Sequence, residues 1–195
     1  PLTMRGVFGN RGTEGRKRAR EKYAGGMGKY TERAVLKALR WLKKQQKPNG
    51  SWGGKYKEAM TGLALLTFLA HGETPQQSEE FGETVSSAIQ WLTKRMNNKG
   101  GVGGRPKGYV NGIATYALCE AYGLTQIPAI KAPMEKGLKF LVDGQQDIGG
   151  WDYGYAKGKR WDLSVAGWQL QALKAGQAAG ADVEGLEATI EKGIK

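Results

Sequence analysis

An all-α chain of helical-hairpin repeats, three hairpins plus the start of a fourth, is the fold class this sequence predicts, and three observations carry it. Ala38-Leu39-Arg40-Trp41-Leu42 returns 50 residues on as Ala88-Ile89-Gln90-Trp91-Leu92, and after a further 49 as Gly137-Leu138-Lys139-Phe140-Leu141. Each copy is followed by a glycine turn at the same offsets: Gly50-Ser51-Trp52-Gly53, Gly100-Gly101-Val102-Gly103 and Gly149-Gly150-Trp151-Asp152. After each turn comes a second apolar segment of helical length, so every unit reads as two helices joined by a glycine-rich loop.

Composition agrees with a repeat body and excludes other classes. Glycine supplies 31 of 195 residues, more than twice the usual ~7%, but without the strict third-position spacing of a collagen. Six tryptophans and eight tyrosines are too many for a disordered linker. Thirteen of the glycines fall in the three loops (47–60, 97–110 and 144–162), where tight turns need them. One cysteine, Cys119, rules out internal disulfides and thiolate-rich zinc sites, and one histidine, His71, rules out any site of two imidazoles. The longest apolar run, from Leu63 to Ala70, is far short of the ~20 residues that span a bilayer.

Residues 1–30 read as a basic, Gly/Arg-rich N-terminal arm. Eight basic side chains there stand against Glu14 and Glu21, so half of the net charge of +12 sits in this segment. A short helix around Arg16–Tyr23 is expected within it. The composition also admits an anionic-polymer partner, although Phe8, Tyr23 and Tyr30 are its only aromatics. The repeat body then occupies residues 31–195, in units of about 31–75, 82–125 and 133–180 with the next starting at 186.

In unit one, Val35, Leu39 and Leu42, with Ala38 and Trp41 alongside, define an apolar stripe on the first helix. The second helices, around Leu63–Leu66 and Ile113–Cys119, are apolar nearly all round and should be the more buried of each pair. Thr61, Asn111 and Ser164 have the residue types of N-caps, with Asp162 an alternative to Ser164; Gly72, Gly123 and Gly176 have the type that follows a helix end. Lys192-Gly193-Ile194 repeats Lys136-Gly137-Leu138, so the array is expected to continue into further repeats or meet a protein partner.

These residues carry a resemblance. Lys37-Ala38-Leu39-Arg40-Trp41-Leu42, then Gln46 and Gly50-Ser51-Trp52, resembles the glutamine–tryptophan repeat of terpenoid cyclases, squalene-hopene cyclases among them. Lys136-Gly137-Leu138-Lys139-Phe140-Leu141, Gln145 and Gly149-Gly150-Trp151 match it again, while unit two departs with Met96 and Val102. The resemblance covers about residues 31–195 and extends to the β subunits of protein prenyltransferases. It implies an α/α-toroid, here incomplete, and structural roles for Gln46, Trp52, Gln145 and Trp151. Each glutamine is expected to bond backbone groups at its helix end while packing on the indole.

The same resemblance implies that inner-helix N-termini surround the working cavity. Mapped here, that rim holds Glu58, Thr61, Tyr109, Asn111, Tyr153, Tyr155, Trp161, Asp162 and Ser164 as candidate ligand-binding residues. The chemistry of the family is another matter. Cyclases of the squalene-hopene type protonate an alkene from an aspartate cluster, and of that cluster only Asp162 stands in Arg160-Trp161-Asp162-Leu163-Ser164. A lone carboxyl at a helix start beside Arg160 is stabilised as the anion and is a poor acid toward a carbon–carbon double bond. The prenyltransferase zinc site needs a cysteine where Ser164 stands, and a neutral hydroxyl is a poor zinc ligand.

Other constellations are thin. His71 reads as a helix C-terminal residue compatible with the dipole, and Cys119 lies mid-helix. The loop 100–108 is rich enough in glycine and charge to nest an anion but misses the Walker and dinucleotide spacings. Glu58, Asp152 and Asp162 are the carboxylates from which a glycosidase-type pair would have to come. The expectation is therefore a binding or scaffold module with no catalytic residue, no metal and no cofactor. The alternative is a part of a cyclase- or prenyltransferase-like enzyme whose catalytic residues lie elsewhere.

Overall fold

The computed structural model describes Phe8, residues 13–158 and residues 160–195, and every regular element among them is a helix. Part of the basic N-terminal segment, including Arg5 and Arg11, thus lies outside the described residues. Helix α1 spans Thr13–Tyr23, a 3-10 turn spans Gly25–Met27, and the array follows as α2 Gly28–Gln45, α3 Lys57–His71, α4 Gly82–Arg95, α5 Lys107–Thr125, α6 Pro128–Gly144, α7 Leu163–Ala178 and α8 Leu186–Ile194. The last helix of the array, α8, starts at Leu186.

Two layers result. α3, α5 and α7 pack side by side with α5 in the middle, and the even-numbered helices lie across them. The inner helices earn that position by composition: α5 buries fourteen of its nineteen residues, whereas α2 buries only Gly28 and Leu39. Each later outer helix packs mainly on the inner helix of the preceding hairpin, α4 on α3 and α6 on α5, and less on its own partner. One continuous apolar core runs through all the units.

The three loops are copies of one turn. Gly50, Gly100 and Gly149 donate their N–H to Lys47, Asn97 and Gln146, and those residues in turn donate to the carbonyls of Ser51, Gly101 and Gly150. All three glycines are left-handed, at φ 88°, 81° and 91°. A Cβ on them would lie 2.4 Å, 1.9 Å and 2.4 Å from the carbonyl oxygens of Ser87, Lys136 and Lys192. The turn must be glycine for two reasons, its own conformation and the backbone of the next outer helix pressed against it.

The helix ends differ from the sequence expectation. α3 and α5 begin at Lys57 and Lys107, one turn before Thr61 and Asn111, so neither of these is an N-cap. Their side chains instead accept loop N–H groups, Trp52 N on Thr61 Oγ1 at 3.0 Å and Val102 N on Asn111 Oδ1 at 2.8 Å. Among the described N-caps of these helices only that of α7, Asp162, makes a side-chain cap bond, accepting from Val165 N; Ser164 is already inside the helix. At the other ends Gly72 is the left-handed C-cap of α3, but Gly123 and Gly176 lie within α5 and α7. They are glycines because Phe8 and Leu138 press on them, at 2.4 Å and 2.5 Å from where a Cβ would stand.

Candidate functional site

The repeat residues divide their labour differently from expectation. It is the tryptophan that ties off a free carbonyl at the helix end: Trp52 Nε1 donates to Leu42 O at 2.8 Å and Trp151 Nε1 to Leu141 O at 2.9 Å. The glutamine bridges outward. Gln46 Nε2 donates to Gly50 O at 3.0 Å and to Thr84 O of α4 at 2.9 Å, while Gln145 Nε2 donates to Gly149 O and to Thr189 O of α8, both at 2.9 Å. One amide thus fixes its own loop and the register of the next unit. Unit two, with Met96 and Val102, keeps the turn but lacks both bonds, and Met96 fills apolar space beside Gly137.

At the N-termini of α5 and α7 the structure brings four of the expected rim residues into one network. Ser164 donates to Asp162 Oδ1, the Tyr109 hydroxyl donates to Ser164 Oγ, and the Tyr153 hydroxyl donates to Asp162 Oδ2 at 2.9 Å. The Tyr109 and Tyr153 rings meet edge to face with centroids 5.6 Å apart. Hydrogen bonds from Ser164, from the backbone of Val165 and from Tyr153 hold the Asp162 carboxyl below the usual aspartate range. The hydrogen bonds with Tyr109 and then Asp162 push the Tyr153 phenol up to about 12.

The other expected rim residues go elsewhere. Asn111 is buried between Val102 N and Lys107 O. Glu58 is buried too, its Oε1 held by both Nε and a terminal nitrogen of Arg95 at 3.0 Å and 2.7 Å. Tyr155 turns inward to donate to Gln169 Oε1 at 3.1 Å with its ring on Phe140 and Gly144, and burial pushes its phenol well up. Trp161 is half exposed, backed on Gly150. Arg160 does not reach Asp162 as the sequence suggested: its guanidinium lies over the Tyr153 ring, 5.7 Å from the centroid, and 4.0 Å from Asp152.

Remaining candidates are likewise committed. Gly104 of the glycine-rich loop already faces the Glu58 carboxylate, 3.1 Å from its Cβ position, which leaves no cradle for another anion. His71 closes α3, but both ring nitrogens meet carboxylates, Nδ1 with Glu73 at 2.6 Å and Nε2 with Glu32 at 3.1 Å; Arg20 of α1 joins Glu32 at 3.0 Å. Cys119 is fully buried, and burial pushes its thiol up.

Sequence reasoning missed Gln169 and Gln146. Gln169 donates to Gly108 O at 2.7 Å and so locks α7 to the start of α5; Gln146 holds the long third loop by Ala156 O at 3.1 Å and Arg160 O at 2.6 Å. The adjacent pair Gln145-Gln146 was the one visible signal. No helix among the described residues is long and apolar enough to cross a membrane.

Against known proteins, the family model of the squalene-hopene cyclase C-terminal domain matches residues 22–162, well over half of the chain and ending where α7 begins. Neither a curated protein nor a solved structure matches.

Proposed function

The chain belongs to the squalene-hopene cyclase C-terminal domain family, and on that footing we propose that it works as a non-catalytic binding module built on the family's repeats. Its ligand face is the polar-aromatic patch of Tyr109, Tyr153, Asp162 and Ser164, with the half-exposed Trp161 beside it. The observation that carries this reading is the state of Asp162. The carboxylate caps α7 and accepts from Ser164, Val165 and Tyr153 at once. Each of those bonds stabilises the anion, so the carboxyl stays ionised at neutral pH and holds no proton to give to an alkene. Glu58, the other carboxylate at an inner-helix start, is spent on Arg95.

What the patch offers instead is recognition chemistry: two tyrosine rings and an indole for stacking, hydroxyls that donate and accept, and a fixed negative charge. Such a surface suits a hydroxyl-rich or peptide ligand, as in other aromatic-lined sites. Titration of the protein with soluble oligosaccharides and short peptides, followed through Trp161 emission with Trp161→Phe as the blank, tests the reading. A saturable change that Tyr153→Phe weakens supports it. No response to any probe, together with turnover of a polyisoprenoid alkene, overturns it.

A further inference from the structure

The first hairpin has a second feature, on a different face from the patch and independent of it. α4 and α6 each rest on the inner helix of the preceding hairpin, whereas α2 packs on α3 of its own unit and on the turn before it. Its apolar stripe is therefore open, with Val35 42% and Trp41 61% exposed. Of the stripe read from the sequence, only Leu39 is fully buried. Beside it lies a groove of about 610 Å³ lined by Trp41, Leu42, Trp52, Met60, Leu63 and Ala64, among others.

The repeat says what fits there. Fifty residues further on, those six positions are Trp91, Leu92, Val102, Val110, Ile113 and Ala114. All but the half-buried Trp91 are buried, on the face that unit two turns toward α3. The occupant of that equivalent face is an inner helix with three properties. It has a small residue at closest approach, Gly62, whose Cβ position is 3.0 Å from Ile113. It is apolar along the rest of the contact, and its first-turn carboxylate, Glu58, meets a cation on the outer helix. On unit one the position equivalent to Arg95 is Gln45, and the cation lining the groove is Lys47 of the loop, whose Nζ donates to Gly53 O; α2 adds six basic residues against one acidic.

We propose that the groove of the first hairpin is a docking site for an apolar helix of another protein, with a glycine or alanine at its centre and acidic residues in its first turn. The mode is a helix laid in a groove, and the internal α3-on-unit-two interface is its template. Trp41 and Trp52 are the aromatic anchors of such an interface.

The probe is a fluorescein-labelled peptide of the α3 sequence, residues 57–71, extended by two glutamates at its N-terminus, titrated against the full chain by anisotropy. A saturable rise is expected, with a gain of helical circular dichroism because so short a helix is marginal when free. Met60→Glu with Leu63→Glu should weaken binding at least about tenfold. Both side chains are partly exposed, so the fold should survive, and a thermal melt checks it. Lys47→Glu, on the surface, should weaken it as well and flatten its salt dependence. A peptide with leucine in place of its central glycine should fail to bind. Equal binding of a scrambled peptide, indifference to the Met60/Leu63 change, or no binding would overturn the proposal. So would sedimentation of the chain as a dimer that Met60→Glu dissociates, since a second copy would then be the occupant.

Discussion

Gln145 has only two donors on its amide, and both are placed on backbone carbonyls of two different units. Replacing it by alanine leaves Gly149 O and Thr189 O short of a partner, and we expect Gln145→Ala to cost about 1–3 kcal/mol in urea unfolding. The matching change at Met96 of unit two, Met96→Gln, has no bond to break and serves as the contrast. Asp162 yields a pH prediction. Its folded pKa is depressed relative to the unfolded value of about 3.9, so its contribution is present above that value and is lost as pH falls through the lower folded pKa. Asp162→Ala should therefore be less stable than the parent at pH 7, with a stability that falls less steeply as pH drops below about 4. Equal slopes in acid denaturation would show that the three hydrogen bonds to Asp162 do not hold it as an anion.

Elements show why some of this architecture was legible in sequence and some was not. The glycine–tryptophan turns were readable because one backbone geometry, a left-handed glycine against the next helix, recurs at nearly constant spacing. Helix starts were not, because the N-caps of α3 and α5, Tyr56 and Pro106, make no side-chain cap bond. A search for capping residue types therefore lands one turn late on Thr61 and Asn111, polar for the sake of the loop. Gly123 and Gly176 were misread for a related reason: a glycine kept for close approach looks in sequence like one kept for φ > 0. The pairs Glu58–Arg95 and Tyr109–Ser164 join residues 37 and 55 apart on different hairpins, a relation no local pattern records. A glycine that the fold requires separates experimentally from one that it does not. Gly100→Ala puts a Cβ 1.9 Å from a backbone oxygen at φ 81° and should cost about 3 kcal/mol or more. Gly167→Ala, in α7 with nothing within 4 Å, should stabilise by roughly 0.4–1 kcal/mol. Thermal or urea midpoints that rank the two the other way would contradict the account of the turn.

For the molecule as a whole, each hairpin leans on the one before it, and the glutamine, tryptophan and glycine of each loop make that leaning specific. The net charge of +12 is unevenly used: Arg20 of α1 is drawn into the Glu32–His71–Glu73 cluster, and Phe8 is buried against Gly123. The N-terminal segment is thus tied to the body at two points. In the function proposed above, the family scaffold is kept while Asp162 serves as a helix cap and not as an acid. Incubation of the chain with squalene in D2O, with mass spectrometry of the recovered hydrocarbon, tests it most directly. Squalene should be recovered unchanged and without deuterium; a cyclised product carrying deuterium, formed by this chain and lost in Asp162→Asn, would overturn the proposed function.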